Sequence, residues 1–220
     1  MNIKPYKYLF FDLDGTLNKS GEGIMRCAQH TLRHFGIEIE DLNTLLPFVG
    51  PPLEDSFRDL YHLDNTQVEE ALDIYAQRYA QLGAYEAELY PGILNLLDEL
   101  RKSGKTIIIA TSKKITMTLK VTKHFGLDQY VDFIGARDDE GKRHTKADVI
   151  RYIIDQMQIK DLKDCVMIGD RKYDMIGAEE TGMDAIGVLY GYGDREELEA
   201  HHATYIAEDI AELKKLLIEA

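Results

Sequence analysis

Two aspartates, one residue apart, follow a short apolar run near the start of the chain. Residues 8–11, Tyr-Leu-Phe-Phe, have the composition of a buried strand, and Asp12-Leu13-Asp14 comes directly after them. In an extended chain, residues two apart point to the same side, so these two carboxylates should enter one small volume. Like charges this close disfavour the folded state unless a cation or a shared proton compensates them. The pair therefore indicates a site for proton transfer or metal binding.

Polar residues also follow two later apolar runs, and a lysine opens the helical pattern between these runs. These residues are Thr111, Ser112, Lys146, Asp170 and Asp174. In open α/β sheets, ligands bind beyond the carboxyl ends of the strands, so we expect all of these side chains to meet the two aspartates at one edge. Carboxylates, hydroxyl groups and an ammonium group together suit a hard cation and a phosphate group.

The elements that must position these residues alternate from residue 90 onward. Apolar runs typical of buried strands alternate with helical periodicity. Strands that alternate with helices predict a parallel sheet covered by helices on both faces, so we expect an α/β fold with a Rossmann-like core. The predicted strands are 106–110, 130–135, 164–169, 184–189 and 204–206, and the predicted helices are 93–102, 115–125, 146–157, 175–181, 196–200 and 209–219.

The segment after the first strand has a different pattern. Helical periodicity covers residues 23–34 and 53–61, and a capping box at Thr66–Glu69 opens a helix that continues to about residue 82. We find no strand candidate in this segment. We therefore predict an all-helical domain, residues 18–83, inserted into an α/β core formed by residues 1–17 and 84–220.

The composition restricts the partners and the compartment of the protein. With 26 basic and 39 acidic residues among 220, the formal net charge is −13, which disfavours nucleic acid polymers and anionic membranes as partners. The spacing of Cys27 and Cys165 fits no disulfide framework and no CxxC metal site. The apolar run before Asp12 is too short for a secretory signal, and no stretch approaches the ~20 apolar residues of a membrane span. We expect a soluble, cytoplasmic protein that is a monomer, with a homodimer as the alternative.

In this order and context, the polar residues resemble the four sequence motifs of the haloacid dehalogenase (HAD) superfamily. Motif one is similar to Asp12-x-Asp14-x-Thr16, motif two to Thr111, motif three to Lys146, and motif four to Gly169-Asp170-x-x-x-Asp174. The helical insertion resembles the cap of the phosphoglycolate-phosphatase-like subfamily. The resemblance spans the whole chain and implies a HAD-like core with a helical cap.

The resemblance implies a phosphatase that works through an aspartyl-phosphate. Asp12 would attack phosphorus, and Asp14 would protonate the leaving alkoxide and then activate water. Mg²⁺ would be the cofactor, and its ligands would be Asp12, the backbone carbonyl of Asp14, Asp170 and, directly or through water, Asp174. Thr111, Ser112 and Lys146 would bind the phosphoryl oxygens.

The family's variants separate some reaction types. Haloacid dehalogenases lack the second aspartate, because a halide leaving group needs no proton, so Asp14 favours phosphate-ester chemistry. Sugar phosphomutases usually carry another residue at the position of Thr16, which favours hydrolysis over transfer to a second hydroxyl group. A phospho-accepting receiver module, a rival of a different class, would have a shorter chain, an adjacent acidic pair and no insertion.

The substrate remains open between a small phosphate monoester, such as phosphoglycolate, and a nucleoside 5′-monophosphate. Residues 48–53, 141–146 and 169–174 resemble a bacterial branch whose members are named phosphoglycolate phosphatase or 5′-nucleotidase. We expect the cap to close over the cleft and to select the substrate, a small phosphorylated metabolite. Candidate contacts for specificity are Gly50, Pro51 and Arg171.

Other features have simpler interpretations. Lys142 is an alternative to Lys146, although Lys146 opens the apolar helix in the manner of the family. Residues 191–193 form a turn, since Glu196 occupies the place of the third glycine in a dinucleotide-binding loop. We expect surface positions for His201 and His202, and core positions for Tyr75, Tyr79 and Tyr85.

Overall fold

The computed structural model describes residues 4–140 and 142–218, and the chain divides into two compact units. One unit consists of Met1–Asn18 and Leu89–Ala220, and the other consists of Lys19–Glu88. The chain passes between the units at two short strands, Asn18–Lys19 and Glu88–Leu89, which pair with each other. Residues 141 and 219, which belong to predicted segments, lie outside the described residues.

The described residues form eight strands and nine α-helices. The strands are β1 Tyr8–Phe11, β2 Asn18–Lys19, β3 Glu88–Leu89, β4 Thr106–Lys114, β5 Phe133–Arg137, β6 Cys165–Gly169, β7 Asp184–Val188 and β8 Tyr205–Ala207. The helices are α1 Gly21–His34, α2 Leu53–Asp55, α3 Asn65–Arg78, α4 Ile93–Lys102, α5 Ile115–His124, α6 Lys146–Met157, α7 Lys172–Thr181, α8 Arg195–Ala200 and α9 Ile210–Ile218. Among the described residues, every helix is too short or too polar to cross a membrane.

Six strands of the larger unit form one parallel sheet in the order β5-β4-β1-β6-β7-β8. β1 lies between β4 and β6, with Phe11 level with Ile109 on one side and with Ile168 on the other. From β1 the chain builds the sheet first towards β5, and it then returns beside β1 to build towards β8. β1 is therefore the topological switch point, next to which ligands bind in open α/β sheets. This architecture confirms the predicted α/β fold.

The strands are continuous apolar runs because helices cover both faces of the sheet. On one face, Phe10, Ile108 and Met167 pack with apolar residues of α6 and α7. The alternating positions Phe11 and Ile109 point to the opposite face and are 0% exposed. Burying such a side chain stabilises the fold by about 1.5–3 kcal/mol. The well-packed sheet thus fixes the positions of the side chains at its carboxyl edge.

The smaller unit is mainly helical, but its third helix begins differently from the prediction. α3 begins at Asn65, and Asp64 is its N-cap residue. The Asp64 carboxylate accepts the Gln67 amide at 2.9 Å, and the Gln67 side chain accepts the Asp64 amide at 3.0 Å. The capping box predicted at Thr66–Glu69 is therefore wrong. Both pairs of residues have the required spacing, and the backbone conformation of the loop selects the earlier one.

Three further segments of the predicted insertion are helical, as expected, but they are not α-helices. Ser56–Leu60 and Tyr79–Gly83 form π-helical turns, and Leu42–Phe48 forms a 3₁₀-helix. Five residues are too few for periodicity to distinguish i→i+4 from i→i+5 hydrogen bonds. The expectation of no strand in this segment is also wrong, because β2 begins at Asn18.

Candidate active site

A lysine ammonium group between two carboxylates forms the centre of the site. Asp12 follows β1, Lys146 is the first residue of α6, and Asp174 lies in the first turn of α7. Lys146 Nζ is 2.8 Å from Asp12 Oδ1 and 2.8 Å from Asp174 Oδ1, and it donates to the Ala110 carbonyl oxygen at 2.8 Å. The lysine side chain is 3% exposed, so water screens these contacts little.

The ionisation of these groups reflects burial and mutual charge. Burial, followed by the negative charge of Asp174, raises the pKa of Asp12 to about 6, although Lys146 opposes this shift. Burial alone would lower the pKa of Lys146, but the carboxylates of Asp12 and Asp174 outweigh it and raise this pKa above its usual value. The lysine is therefore charged at neutral pH, and its one positive charge is shared between two neighbouring carboxylates.

Two local features place Lys146 at this point. Thr145 is the N-cap of α6: its Oγ1 accepts the Asp148 amide at 3.1 Å, and Asp148 accepts the Thr145 amide at 3.0 Å. On the neighbouring helix α7, a Cβ atom at Gly177 would lie 2.7 Å from Lys146 Cγ. The cap starts the helix at Lys146, and the glycine leaves room for the lysine stem. Sequence reasoning missed Gly177, which has no local signal.

Asp170 follows β6 and is fully buried. Its Oδ2 accepts the Tyr192 amide at 2.8 Å, and Thr16 Oγ1 donates to its Oδ1 at 3.4 Å. Burial, together with the charges of Asp174 and Asp12, raises the pKa of Asp170 well above its usual value. Asp170 is thus held by two polar contacts in a volume that already contains negative charge.

Two glycines let the backbone close around Asp170. A Cβ atom at Gly191 would lie 2.3 Å from Asp170 Cβ, and one at Gly15 would lie 2.1 Å from Asp170 Oδ2. Gly15 also has a φ of +83°, which side chains disfavour. Residues 191–193 lie outside regular secondary structure, as predicted. Sequence reasoning missed that this turn also packs against Asp170 of the site.

The carboxylates form a cluster that could hold a metal ion. One ligand oxygen from each of Asp12, Asp170 and Asp174 lies within 4.8 Å of the other two. Three carboxylates and the Lys146 ammonium give this buried group a formal charge of about −2 if all are ionised. All three donors are hard oxygen ligands of the kind that divalent cations such as Mg²⁺ prefer. Burial and then mutual charge raise the pKa values of Asp12 and Asp170, and a divalent cation between these oxygens would favour their ionised forms.

Asp14 has different partners from Asp12. Lys113 Nζ is 2.7 Å from Asp14 Oδ2, and the two side chains are 10% and 19% exposed, respectively. With its amide oriented as a donor, the buried Asn18 side chain places nitrogen 3.2 Å from Asp14 Oδ1. The metal-binding role predicted for Asp14 concerned its backbone carbonyl and stays a prediction. Sequence reasoning assigned no role to Lys113 or Asn18, although Lys113 lies two residues after Thr111 of motif two.

The end of β4 carries the predicted phosphate-binding hydroxyl groups. Thr111 is 2% exposed, and its Oγ1 accepts the Lys113 amide at 3.3 Å, whereas Ser112 is exposed. The register with β5 shifts here, since Thr111 pairs with Ala136 and Lys114 pairs with Arg137. A β-bulge of this kind redirects the side chains within it.

Of the residues predicted to contact the substrate, two lie in the smaller unit and one is paired with a glutamate. Gly50 and Pro51 belong to the smaller unit, between its 3₁₀-helix and α2. The Arg171 guanidinium group donates through Nε to Glu197 Oε1 at 2.9 Å. The specificity roles of these three residues stay predictions.

The choice between the two candidate lysines is clear from their surroundings. Lys142 Nζ pairs with Glu140 Oε2 at 2.6 Å, and the Lys142 side chain is 78% exposed. Lys146 is the lysine that contacts the carboxylate cluster.

The histidine and tyrosine predictions have mixed outcomes. His202, near the end of α8, is exposed as predicted, whereas His201 is partly buried and its Nδ1 contacts the Glu197 carbonyl oxygen. The His202 ring contacts the Glu179 carboxylate through Nδ1. Tyr75 and Tyr79 are buried and stack at 5.8 Å within the smaller unit. The prediction is wrong for Tyr85, which is 44% exposed.

Comparison with known proteins identifies the family to which the chain belongs. Residues 9–188 match the family model described as haloacid dehalogenase-like hydrolase. A 5′-nucleotidase of Pseudomonas aeruginosa is 38% identical over 212 residues, which cover 96% of each chain. A tyrosine-protein kinase, PtkA, of Mycobacterium tuberculosis is 32% identical over 95% of this chain and 72% of its own length.

A solved structure has the same architecture. A predicted phosphatase from Clostridium acetobutylicum superposes with a TM-score of 0.93 and is 41% identical, over 99% of this chain and 100% of the other. The likeness therefore extends over both units of the chain.

Proposed function

This chain is a phosphatase of the haloacid dehalogenase-like hydrolase family, and we propose that it hydrolyses small phosphate monoesters with Mg²⁺, through an aspartyl-phosphate intermediate. The observation that carries this proposal is the unlike surroundings of two aspartates in one loop. Asp12 contacts the buried Lys146 and belongs to the carboxylate cluster, whereas Asp14 contacts Lys113 outside it. Carboxylates in different surroundings are suited to different roles in one reaction.

In the first half of the reaction, Asp12 would be the nucleophile. One of its carboxylate oxygens forms a bond to phosphorus while the bond from phosphorus to the ester oxygen breaks. Asp14 gives its proton to that oxygen, so the product leaves as an alcohol. Lys146 holds the Asp12 carboxylate in place through its 2.8 Å contact. Thr111, at the neighbouring strand end, would donate its hydroxyl proton to a phosphoryl oxygen.

In the second half, water replaces the aspartate. Asp14, now ionised, accepts a proton as the water oxygen forms its bond to phosphorus and the bond from phosphorus to Asp12 breaks. This step releases inorganic phosphate and restores the Asp12 carboxylate and the protonated Asp14. The contacts of Asp14 with Lys113 and Asn18 would keep its carboxylate oriented through both halves.

Asp12, Asp170 and Asp174 would hold the Mg²⁺ ion. When bound, Mg²⁺ supplies positive charge that lets a phosphate dianion approach the carboxylate of Asp12. The Tyr192 amide and the Thr16 hydroxyl keep Asp170 turned towards the cluster, and the Arg171 amide, 3.2 Å from Asp174 Oδ2, does the same for Asp174.

A second candidate is hydrolysis of nucleoside 5′-monophosphates. The 38% identical relative that is named 5′-nucleotidase supports it. Both candidates use the same reaction at phosphorus, and they differ in the part of the substrate that leaves.

Release of phosphate from p-nitrophenyl phosphate tests the proposed function. We expect activity that needs Mg²⁺, that EDTA removes, and that falls at least about a thousandfold in Asp12→Asn. Asp155→Asn is a matched control, since Asp155 is an exposed aspartate on α6. Full activity in Asp12→Asn, or no release from any phosphate ester with Mg²⁺ present, would contradict the proposal.

A further inference from the structure

The turn that carries two of the clustered aspartates is held by a carboxylate from another helix. Asp170 follows β6, α7 begins at Lys172, and Asp174 lies in the first turn of α7. The Glu197 carboxylate of α8 contacts the middle of this turn. Its Oε1 accepts the Lys172 amide at 2.8 Å and Arg171 Nε at 2.9 Å, and its Oε2 accepts Arg171 Nη2 at 3.3 Å. One side chain thus binds three donors on two consecutive residues.

The residue at the N-cap of α7 cannot cap the helix with its own side chain. The first amides of a helix have no partner within the helix, and a Ser, Thr, Asp or Asn side chain at the N-cap usually accepts one of them. The N-cap of α7 is Arg171, whose side chain only donates hydrogen bonds. Glu197 accepts the Lys172 amide instead, and Asp174 Oδ2 accepts the Arg171 amide at 3.2 Å. A residue of α8 therefore helps to fix the start of α7.

Glu197 is itself held in place. Asp194 is the N-cap of α8, and its Oδ1 accepts the Glu197 amide at 2.8 Å. The next residue, Leu198, is 0% exposed, and a Cβ atom at Gly187 of β7 would lie 2.8 Å from Leu198 Cδ1. α8 is thus packed closely against the sheet. The side chains of Arg171 and Glu197 are 18% and 21% exposed, so water weakens their ion pair less than it weakens a surface pair.

We infer that Glu197 is a positioning residue for the metal ion; this inference rests on the proposed function, in which Asp170 and Asp174 bind Mg²⁺. Arg171 and Lys172 lie between the two aspartates in the chain, so a shift of these residues would move both metal ligands. Metal sites lose about ten- to a hundredfold in affinity when a residue that orients their ligands is changed. Glu197 therefore lowers the dissociation constant of the metal ion, and it takes no part in bond formation at phosphorus.

Binding of Mn²⁺ to the full chain tests the inference without use of the reaction. Mn²⁺ prefers the same oxygen ligands as Mg²⁺, and electron paramagnetic resonance measures the concentration of the free Mn²⁺ ion. Glu197→Ala removes all three contacts, whereas Glu197→Gln removes the charge but keeps an oxygen that can accept the Lys172 amide. Glu196→Gln is a matched control, since Glu196 is an exposed neighbour on α8.

We expect Glu197→Ala to raise the dissociation constant of Mn²⁺ by about ten- to a hundredfold. Glu197→Gln should raise it by a smaller factor, and Glu196→Gln should leave it unchanged. With saturating Mg²⁺, the kcat of Glu197→Ala for p-nitrophenyl phosphate should approach that of the wild type, because the reacting groups are intact. Added metal ion would not correct a purely structural defect in this way.

An unchanged dissociation constant in Glu197→Ala, or an equal rise in Glu196→Gln, would overturn the inference and leave the proposed function standing. If Glu197→Ala does not fold, an unchanged dissociation constant in Glu197→Gln overturns the inference in the same way. Failure of the wild type to bind Mn²⁺ would refute the inference together with the proposed metal site. A wild type that binds Mn²⁺ but releases phosphate from no ester would instead refute the proposed function, and the dissociation constants would still decide the role of Glu197.

Discussion

At the scale of single residues, the two aspartates have different charged neighbours. Asp12 shares the buried Lys146 with Asp174 and has a pKa raised to about 6, because burial and the neighbouring carboxylates disfavour its ionised form. Asp14 contacts Lys113 at a more exposed position. Two side chains of the same type, two positions apart, thus acquire different chemistry from their neighbours.

The raised pKa of Asp12 predicts how stability depends on pH when EDTA removes metal ions. The folded state binds the Asp12 proton more tightly than the unfolded chain, in which an aspartate has a pKa near ~3.9. The free energy of unfolding should therefore rise as the pH falls from about 7 through 6 towards 4, by of the order of 1–3 kcal/mol from this group. Asp170, whose pKa is also raised, contributes with the same sign.

Urea unfolding at a series of pH values measures this effect. As the pH falls, the free energy of unfolding of the wild type should rise relative to that of Asp12→Asn. The reason is that Asp12 takes up a proton in the folded state, whereas the asparagine cannot. Mg²⁺ should stabilise the wild type most above pH ~6, where the carboxylates are ionised. A difference that is independent of pH in EDTA would show that the folded state does not raise this pKa.

At the scale of elements, the side chains of the candidate site lie at the ends of strands and at the starts of helices. β1, β4 and β6 are adjacent, so the residues that follow them meet at one edge. α6 and α7 begin at the same edge with Lys146 and, within the first turn of α7, Asp174. The residue at which each of these helices begins therefore determines which side chain reaches the site, in addition to contributing to stability.

The start of α3 offers a test of one helix boundary. Asp64→Ala removes the carboxylate that accepts the Gln67 amide and should lower the free energy of unfolding by about 1 kcal/mol. Thr66→Ala, within the helix, should change it by less than about 0.5 kcal/mol. Thermal or urea unfolding of both variants measures the difference. A larger loss in Thr66→Ala than in Asp64→Ala would favour the capping box predicted from the sequence.

At the scale of the whole molecule, each of the two units has its own core and its own cysteine. Cys27 is buried in α1 of the smaller unit, where its sulfur accepts a hydrogen bond from Arg78 at 3.1 Å. Cys165 is buried in β6 of the larger unit, and burial raises its pKa to about 12. Both thiols are buried, whereas reactive cysteines are accessible.

The thiols can report the unfolding of each unit separately. We expect a thiol reagent to label neither cysteine in native buffer and both in strong denaturant. Because small units bury a lower fraction of their surface, Cys27 should become reactive at a lower urea concentration than Cys165. Mass spectrometry after pulse labelling assigns the modified residue. Rapid labelling of either thiol in native buffer, or labelling of Cys165 before Cys27, would contradict this expectation.

Much of the fold follows from short-range patterns in the sequence. The bounds of α4 and α6 match the prediction, because periodicity and end signals lie within the segments themselves. The sheet and the meeting of Asp12, Lys146, Asp170 and Asp174 also follow, since parallel strands place their carboxyl ends together. Where local signals are ambiguous, as at the start of α3, the prediction is wrong.

The sequence by itself therefore determined which residue types stand at the strand ends, and with them the reaction class. Only the tertiary structure decided the partners of each group: Lys113 for Asp14, the Tyr192 amide for Asp170, and the space at Gly177 for Lys146. The physical reason is distance along the chain. These contacts join segments that are tens of residues or more apart in the sequence. They depend on the order of the strands, on their register and on one bulge. A pattern within a single segment indicates none of these three features.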